Sequence, residues 1–220
     1  MGELRLYHGS EYEIKTLSLE AGSPNNDYGR GFYCTESFEL SAEWACKRGR
    51  DGFSNEYVLN TDSLNMMDLM DESRYDLLNW VAMLIAHRTF RLKARMPMAA
   101  REYLIENHLP DTTGVDVIMG YRADDSYFSY AESFLNNTLP LEALSRAMVL
   151  GNLGIQVVLV SNRAFGNLTY VRSTRVQASE HFQSFERRDS DARNDYRRIQ
   201  NAVDPTSGTF MVDIMRNGGI

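Results

Sequence analysis

The chain is poor in cysteine and contains no long apolar run. Its 220 residues include two cysteines, Cys34 and Cys46, which are too few for a disulfide framework and favour a reducing compartment. No eighteen consecutive residues are apolar, so the sequence predicts no transmembrane helix. The first residues also lack the apolar segment and cleavage site of a signal peptide. We therefore expect a cytoplasmic protein with no membrane partner.

Basic residues are fewer than acidic residues. Lys and Arg number 23 against 30 Asp and Glu, which gives a formal net charge of −7. A negative balance argues against broad electrostatic binding of nucleic acid, although a local basic patch stays open as an alternative. The histidines and cysteines show no metal-ligand spacing, so no metal is expected. The chain is long enough to bury one core.

Hydrophobic periodicity switches repeatedly between the strand and the helix pattern. Alternation predicts strands at 3–8, 32–35, 55–61, 115–121, 154–161 and 168–176. The helical period predicts helices at 36–49, 76–92, 99–109, 126–137, 140–151 and 179–203. Because strands lie at both ends with helices inserted between them, the pattern indicates an α+β class. We expect one domain over 1–220, with a helical insertion at 62–112 and a helical tail at 178–220.

Short segments around three of these strands carry the residues that suggest chemistry. The first predicted strand ends in His8-Gly9-Ser10, and Gln156 stands near the start of the most apolar strand, late in the chain. Between them, Gly29-Arg30-Gly31 precedes Tyr33, and the glycines would allow a ligand to approach the backbone closely. On the helix that follows, Ser41 and Trp44 are three residues apart and share a face. Two aromatic side chains can hold a flat ring between them.

These segments resemble the diphtheria-toxin-like ADP-ribosyltransferases, the branch that includes the poly(ADP-ribose) polymerases. The family's histidine matches His8, its tyrosine matches Tyr33, a serine eight residues later matches Ser41, and a second aromatic three residues further matches Trp44. The resemblance runs from residue 4 to about residue 172. It implies a split, mostly antiparallel two-sheet core that binds NAD as a substrate.

The resemblance also implies a role for each matched residue. His8 would support the adenosine ribose, the backbone of Gly9 and the hydroxyl of Ser41 would bind the carboxamide, and Tyr33 and Trp44 would sandwich the nicotinamide ring. The predicted NAD-binding set is His8, Gly9, Ser10, Gly29, Arg30, Gly31, Tyr33, Ser41 and Trp44.

One position departs from the family. Gln156 stands where the family has a glutamate, and a glutamine can accept a hydrogen bond but cannot offer negative charge to a developing cation. Asp124 and Asp125 are the alternative acids, and a cap of the following helix is an equally good interpretation of both. Some bacterial proteins of this superfamily look similar, with the same "ADD" segment and a glutamine opening the late strand. The predicted catalytic set is His8, Tyr33, Gln156, Asp124 and Asp125.

The activity that the resemblance implies is NAD-dependent mono-ADP-ribosyl transfer to a macromolecular acceptor, protein or nucleic acid, as a toxin-like enzyme with an antitoxin as a further partner. Three alternatives stay open: an NAD glycohydrolase, a catalytically silent NAD or ADP-ribose reader, and a non-enzymatic protein that binds a partner through its tail helix. The tail mixes arginines with aspartates, which favours a solvated helix with ion pairs over a nucleic-acid-binding face.

Overall fold

A computed structural model describes residues 2–46, 48–122, 125–150 and 154–218 of the chain. The strands are β1 (Glu3–Ser10), β2 (Phe32–Cys34), β3 (Gly52–Asn60), β4 (Met66–Asp68), β5 (Val117–Tyr121), β6 (Ile155–Leu159) and β7 (Leu168–Val176). The helices are α1 (Phe38–Cys46), α2 (Leu77–His87), α3 (Arg95–His108), α4 (Asp125–Leu135), α5 (Leu141–Met148), α6 (Asn162–Gly166), α7 (Ala178–Asn201) and α8 (Met211–Asn217).

The strands form two sheets. The first has the order β1-β3-β7 and is antiparallel throughout. The second has the order β2-β6-β5-β4, in which β4 and β5 run parallel and the other pairs run antiparallel. The chain is thus a mixed α and β protein with two sheets and several helices, which confirms the fold prediction at this level.

Within the described residues, one isolated bridge joins the two sheets beside the predicted site. The amide of Tyr7 donates to the carbonyl of Thr35 at 2.7 Å, and the amide of Thr35 donates to the carbonyl of Tyr7 at 3.0 Å. Because Tyr7 precedes His8 and Thr35 follows shortly after Tyr33, this bridge sets the end of β1 against β2. It explains how two residues 25 positions apart come into contact.

The largest apolar core packs the helices against the second sheet. Its buried members include Trp80 of α2, Phe134 of α4 and Val158 of β6. The apolar stripe that the sequence shows in α2 is buried here, and the helix begins at a capping box formed by Asp76 and Asn79. Burial of this stripe is the dominant favourable contribution that α2 makes to folding.

The C-terminal helices complete the same core. Tyr196 of α7 and both Met211 and Ile214 of α8 are buried in it. The sequence predicted α7 as a polar helix, and ion pairs such as Arg198 with Asp195 do follow its surface. Helix α8 lies inside the predicted helical tail at 178–220, but the helical period was traced only to residue 203, because a seven-residue helix is too short to show it clearly.

Helix and strand boundaries differ from the prediction at a few points. Strand β3 begins at Gly52, three residues before the predicted start, because its first residues pair with the end of β7. Helix α3 begins at Arg95 and contains Pro97 in its first turn. Amides of the first turn have no intrahelical acceptor, so the missing N–H of proline costs no hydrogen bond there. Within the described residues, no helix is both long enough and apolar enough to cross a membrane.

Candidate functional site

A cavity of about 520 Å³ opens where the ends of the two sheets meet helix α1. Seven of the predicted site residues line it: His8, Gly9, Ser10, Gly31, Tyr33, Trp44 and Gln156. They come from β1, the loop before β2, β2 itself, α1 and β6. Segments that are distant in sequence therefore contribute to one surface.

His8 is fixed by the neighbouring strand. Its Nδ1 donates to the carbonyl oxygen of Tyr33 at 2.7 Å, which in the neutral ring places the proton on Nδ1. The imidazole also stacks on Phe32 with the ring centroids 4.5 Å apart. These two contacts hold the imidazole in one orientation at the cavity wall.

Tyr33 is held by the glycine-containing turn before it. Its hydroxyl donates to the carbonyl of Gly29 at 2.7 Å and accepts from the amide of Tyr28 at 3.0 Å. Gly29 adopts φ +77°, which a side chain would strain. Burial raises the pKa of the Tyr33 phenol, so the group is neutral at physiological pH. With its hydroxyl bound to the turn, Tyr33 presents its ring to the cavity.

Gly9 allows strand β1 to touch helix α1 directly. A Cβ atom at this position would lie 2.0 Å from the carbonyl oxygen of Ser41 and 2.8 Å from the amide nitrogen of Ala45. Both neighbours are backbone atoms, which cannot rotate away. This close approach brings Gly9 and Trp44 to the same cavity.

Three residues of the predicted NAD-binding set, Ser41, Arg30 and Gly29, do not line the cavity. Ser41 is fully buried, and its hydroxyl donates to the carbonyl of Phe38 at 2.7 Å and lies 2.5 Å from the hydroxyl of Ser54. Its side chain faces β3, where the Ser54 hydroxyl lies. Arg30 points along the surface, where its guanidinium donates to the carbonyl of Glu20 at 2.9 Å. Gly29 also lies outside the lining and acts only through Tyr33.

The two candidate acids cannot be placed against the cavity. Asp124 lies outside the described residues. Asp125 begins helix α4, but its side chain is outside the description too. The proposal that either one supplies a negative charge therefore stays a prediction.

Oε1 of Gln156 and Nε1 of Trp44, both in residues of the cavity lining, are buried and have no hydrogen-bond partner in the described part of the chain. Gln156 is 6% exposed, and its strand position faces Gly120 of β5. A buried polar group without a partner costs about 1–3 kcal/mol, so such groups usually have a reason. A ligand that offers a donor to Gln156 and an acceptor to Trp44 would satisfy both.

The cavity also contains charged residues that sequence reasoning missed or undervalued. Arg88 donates from Nε to the buried carboxylate of Asp27 at 2.9 Å, and Arg48 pairs with Glu11 at 2.7 Å. Arg48 lies in the last turn of the helix predicted at 36–49, two residues beyond the end of α1 at Cys46. Arg88 ends a helix far away in sequence, so no local pattern indicated it.

Arg122 is a third arginine in the lining and lies against an aromatic ring. Its guanidinium carbon is 3.8 Å from the centroid of the Trp44 ring. It also lines a second, largely apolar cavity of about 630 Å³, whose wall includes Leu40, Met148 and Ile155. The side chain of Arg122 thus forms part of the wall of both cavities.

A buried asparagine anchors the loop that contributes Ile14 to the cavity lining. The Oδ1 of Asn55 accepts from the amide of Ile14 at 2.9 Å and from the hydroxyl of Ser173 at 2.6 Å. Its Nδ2 donates to the carbonyl of His8 at 3.1 Å and to that of Tyr12 at 3.2 Å. One side chain therefore joins β1, β7 and the loop that lines the cavity.

Among the residues with described positions, no three histidine, cysteine, aspartate or glutamate side chains lie close enough together to hold a metal ion. The cavity is instead an aromatic and arginine-rich site with backbone glycine and one unpaired amide. This composition suits an organic ligand with a ring and phosphate groups.

Fold and site together define a two-sheet α and β protein with a cavity between a strand end and a helix. A family model described as a protein of unknown function (DUF3990) matches residues 4–170, and the chain belongs to that family. No curated protein and no solved structure matches the chain. The family match includes every cavity-lining residue and ends within β7.

Proposed function

We propose that the chain is an NAD-dependent mono-ADP-ribosyltransferase, with an ADP-ribosyltransferase-like arrangement of its two sheets. The observation that carries the proposal is the convergence of His8, Gly9, Tyr33, Trp44 and Gln156 on one cavity. These residues were selected from the sequence for one shared role and lie up to 148 positions apart (156 − 8). A shared cavity is what that role requires.

The cavity lining matches the chemical groups of NAD. The rings of Tyr33 and Trp44 can contact the nicotinamide, and His8 can contact a ribose. Arg48 and Arg88 supply guanidinium groups, which are suited to diphosphate oxygens. The unpaired Oε1 of Gln156 can accept a hydrogen bond from a ribose hydroxyl.

The reaction breaks the bond between ribose C1′ and the nicotinamide nitrogen. The electron pair goes to the ring, which leaves as neutral nicotinamide, and positive charge develops on the ribose. A nucleophilic atom of the macromolecular acceptor then bonds to C1′ and gives up its proton. Positioning and electrostatics supply most of the catalysis in such a step. Gln156 contributes orientation here, since it carries no charge.

The first test is transfer from labelled NAD to acceptors in a cell lysate. We expect labelling by the wild-type chain and loss of labelling in Tyr33→Ala, whereas Tyr12→Ala changes a tyrosine that is 71% exposed and should keep it. A hundredfold excess of NAD over its Kd should also stabilise the fold by about 2.7 kcal/mol. Absence of both labelling and stabilisation would refute the proposal.

A catalytically silent protein that binds NAD or ADP-ribose is the second candidate. Gln156 carries no negative charge, whereas the diphtheria-toxin-like ADP-ribosyltransferases have a glutamate at the matching position. Thermal stabilisation by NAD without release of nicotinamide would identify it. Nicotinamide release without a labelled acceptor would instead identify a glycohydrolase. For a transferase, Gln156→Glu should raise the rate of nicotinamide release, because a carboxylate stabilises the developing cation.

A further inference from the structure

The contact between Arg122 and Trp44 has a consequence for what the cavity accepts. At 3.8 Å it is shorter than the contact of Arg88 with Phe128, at 4.4 Å, and that of Arg74 with Tyr75, at 5.5 Å. Tryptophan is also the aromatic residue that binds cations most strongly. The guanidinium therefore covers one face of the indole.

The backbone at Arg122 is held close to the cavity. Tyr121 ends β5 and pairs with Ile155 of β6, and its carbonyl accepts from the Tyr28 hydroxyl at 2.5 Å and from Nε1 of Trp80 at 3.2 Å. Trp80 and Tyr28 are both core residues. If a ligand ring displaces the Arg122 side chain, the backbone of Arg122 stays in place beside the cavity.

We propose that Arg122 is a specificity-determining residue that makes this end of the cavity favour a neutral ring over a positively charged one. The inference rests on the proposed function, in that the ring stacking on Trp44 is nicotinamide. A ring that displaces the guanidinium from Trp44 still has that positive charge close by. Two like charges a few ångströms apart near a protein surface repel strongly.

The repulsion between Arg122 and the ring changes during the reaction, because the charge of the ring changes. The oxidised nicotinamide ring is positively charged while it is bonded to ribose. The ring becomes neutral when the bond to C1′ breaks and the electron pair returns to its nitrogen. Arg122 therefore disfavours the bound substrate ring and not the departing nicotinamide.

The test compares two ligands that differ in ring charge. NADH has a neutral ring, and carba-NAD keeps the pyridinium charge but cannot be cleaved, because its ribose ring oxygen is replaced by carbon. Calorimetric titration of the wild-type chain should show NADH binding about five- to tenfold more tightly than carba-NAD, as expected for one nearby like charge. Arg122→Gln should remove that preference, and Arg122→Lys should keep it.

Arg74→Gln is the matched control, because it removes an arginine from an aromatic ring that lines neither cavity. It should leave the ligand preference unchanged. If both ligands bind and Arg122→Gln keeps the wild-type ratio of Kd values, Arg122 does not determine specificity, while the proposed function stands. If neither ligand binds the wild-type chain, the proposed function fails and this inference fails with it.

Discussion

At the scale of single residues, the closest constraint in the site is the contact of Gly9 with helix α1. The contact is between backbone atoms, with the site of an added Cβ only 2.0 Å from the Ser41 carbonyl oxygen. A backbone carbonyl within a helix cannot move without moving the helix. The position of Trp44 relative to β1 therefore depends on the absence of a side chain at residue 9.

We expect Gly9→Ala to lower the free energy of unfolding by about 2 kcal/mol, in the range of overpacking substitutions, and to weaken NAD binding. Gly166→Ala is the control, since nothing lies within 4 Å of its added Cβ. Urea denaturation measures the stability of both variants, and calorimetric titration with NAD measures binding. Equal stability of the two variants would contradict the contact.

Individual site residues differ in how far the sequence could predict them. His8, Tyr33 and Trp44 could be singled out from the sequence because the resemblance to the ADP-ribosyltransferases rests on short local segments that contain them. The side-chain direction of Ser41 was not, because it depends on the hydroxyl of Ser54 in another strand. Arg88 was not predictable either, since only tertiary packing brings α2 to the cavity.

At the scale of helices and strands, α1 is fixed from its outer side by α7. Arg188 of α7 forms an ion pair with Glu43 of α1, and their side chains are only 17% and 12% exposed. Burial lowers the pKa of the Arg188 guanidinium, which nevertheless stays charged. Glu43 precedes Trp44 in the helix. Helix α7 thus stabilises α1, the helix that contributes Trp44 to the cavity.

Removal of one partner of this pair leaves the other charge largely buried and unpaired. We expect Arg188→Ala to cost about 2 kcal/mol of stability, less than the roughly 3–5 kcal/mol of a fully buried pair. Glu43→Ala with Arg188→Ala should cost less than the sum of the two single changes. Arg198→Ala, which breaks an exposed pair on the same helix, should change stability by less than about 0.5 kcal/mol. Strictly additive effects in denaturation would argue against the pair.

Most strands and helices were predictable because each follows a local period. Strand β6 is a continuous apolar run and α2 a broad apolar stripe, and both patterns persist whatever surrounds them. The short helix α6 and the first residues of β3 were missed, because their structure depends on tertiary contacts, such as pairing with β7. The order of strands in the sheets follows from non-local pairing, which no period encodes.

At the scale of the whole molecule, stability should depend on pH in two separate ranges. Burial lowers the pKa of His87, so the unfolded chain binds this proton more readily than the folded chain does. The contribution of His87 to stability is therefore largest above pH 6.5, which is about the pKa of a histidine in the unfolded chain, and it falls as the pH drops below that value. The Thr209 amide lowers the pKa of Glu142, so its contribution is lost only as the pH falls below about 4.5.

We expect His87→Gln to reduce the decline in stability between pH 7.5 and 5.5 and to leave the decline below pH 4.5 in place. Glu142→Gln should do the opposite, reducing the acid decline alone, which makes each variant the control of the other. Urea denaturation across this pH series measures both. An unchanged slope between pH 7.5 and 5.5 in His87→Gln would show that the histidine does not cause it.

The asparagine at the centre of the first sheet also determines which side of the molecule can yield when a ligand arrives. Asn55 and Tyr57 together bind the loop around Ile14 to β3, which is paired with β1 on one side and β7 on the other, so the sheet supports this part of the cavity wall. A ligand that displaced this loop would have to break the hydrogen bonds of Asn55 and Tyr57, whereas one that left the loop in place would meet a wall already formed.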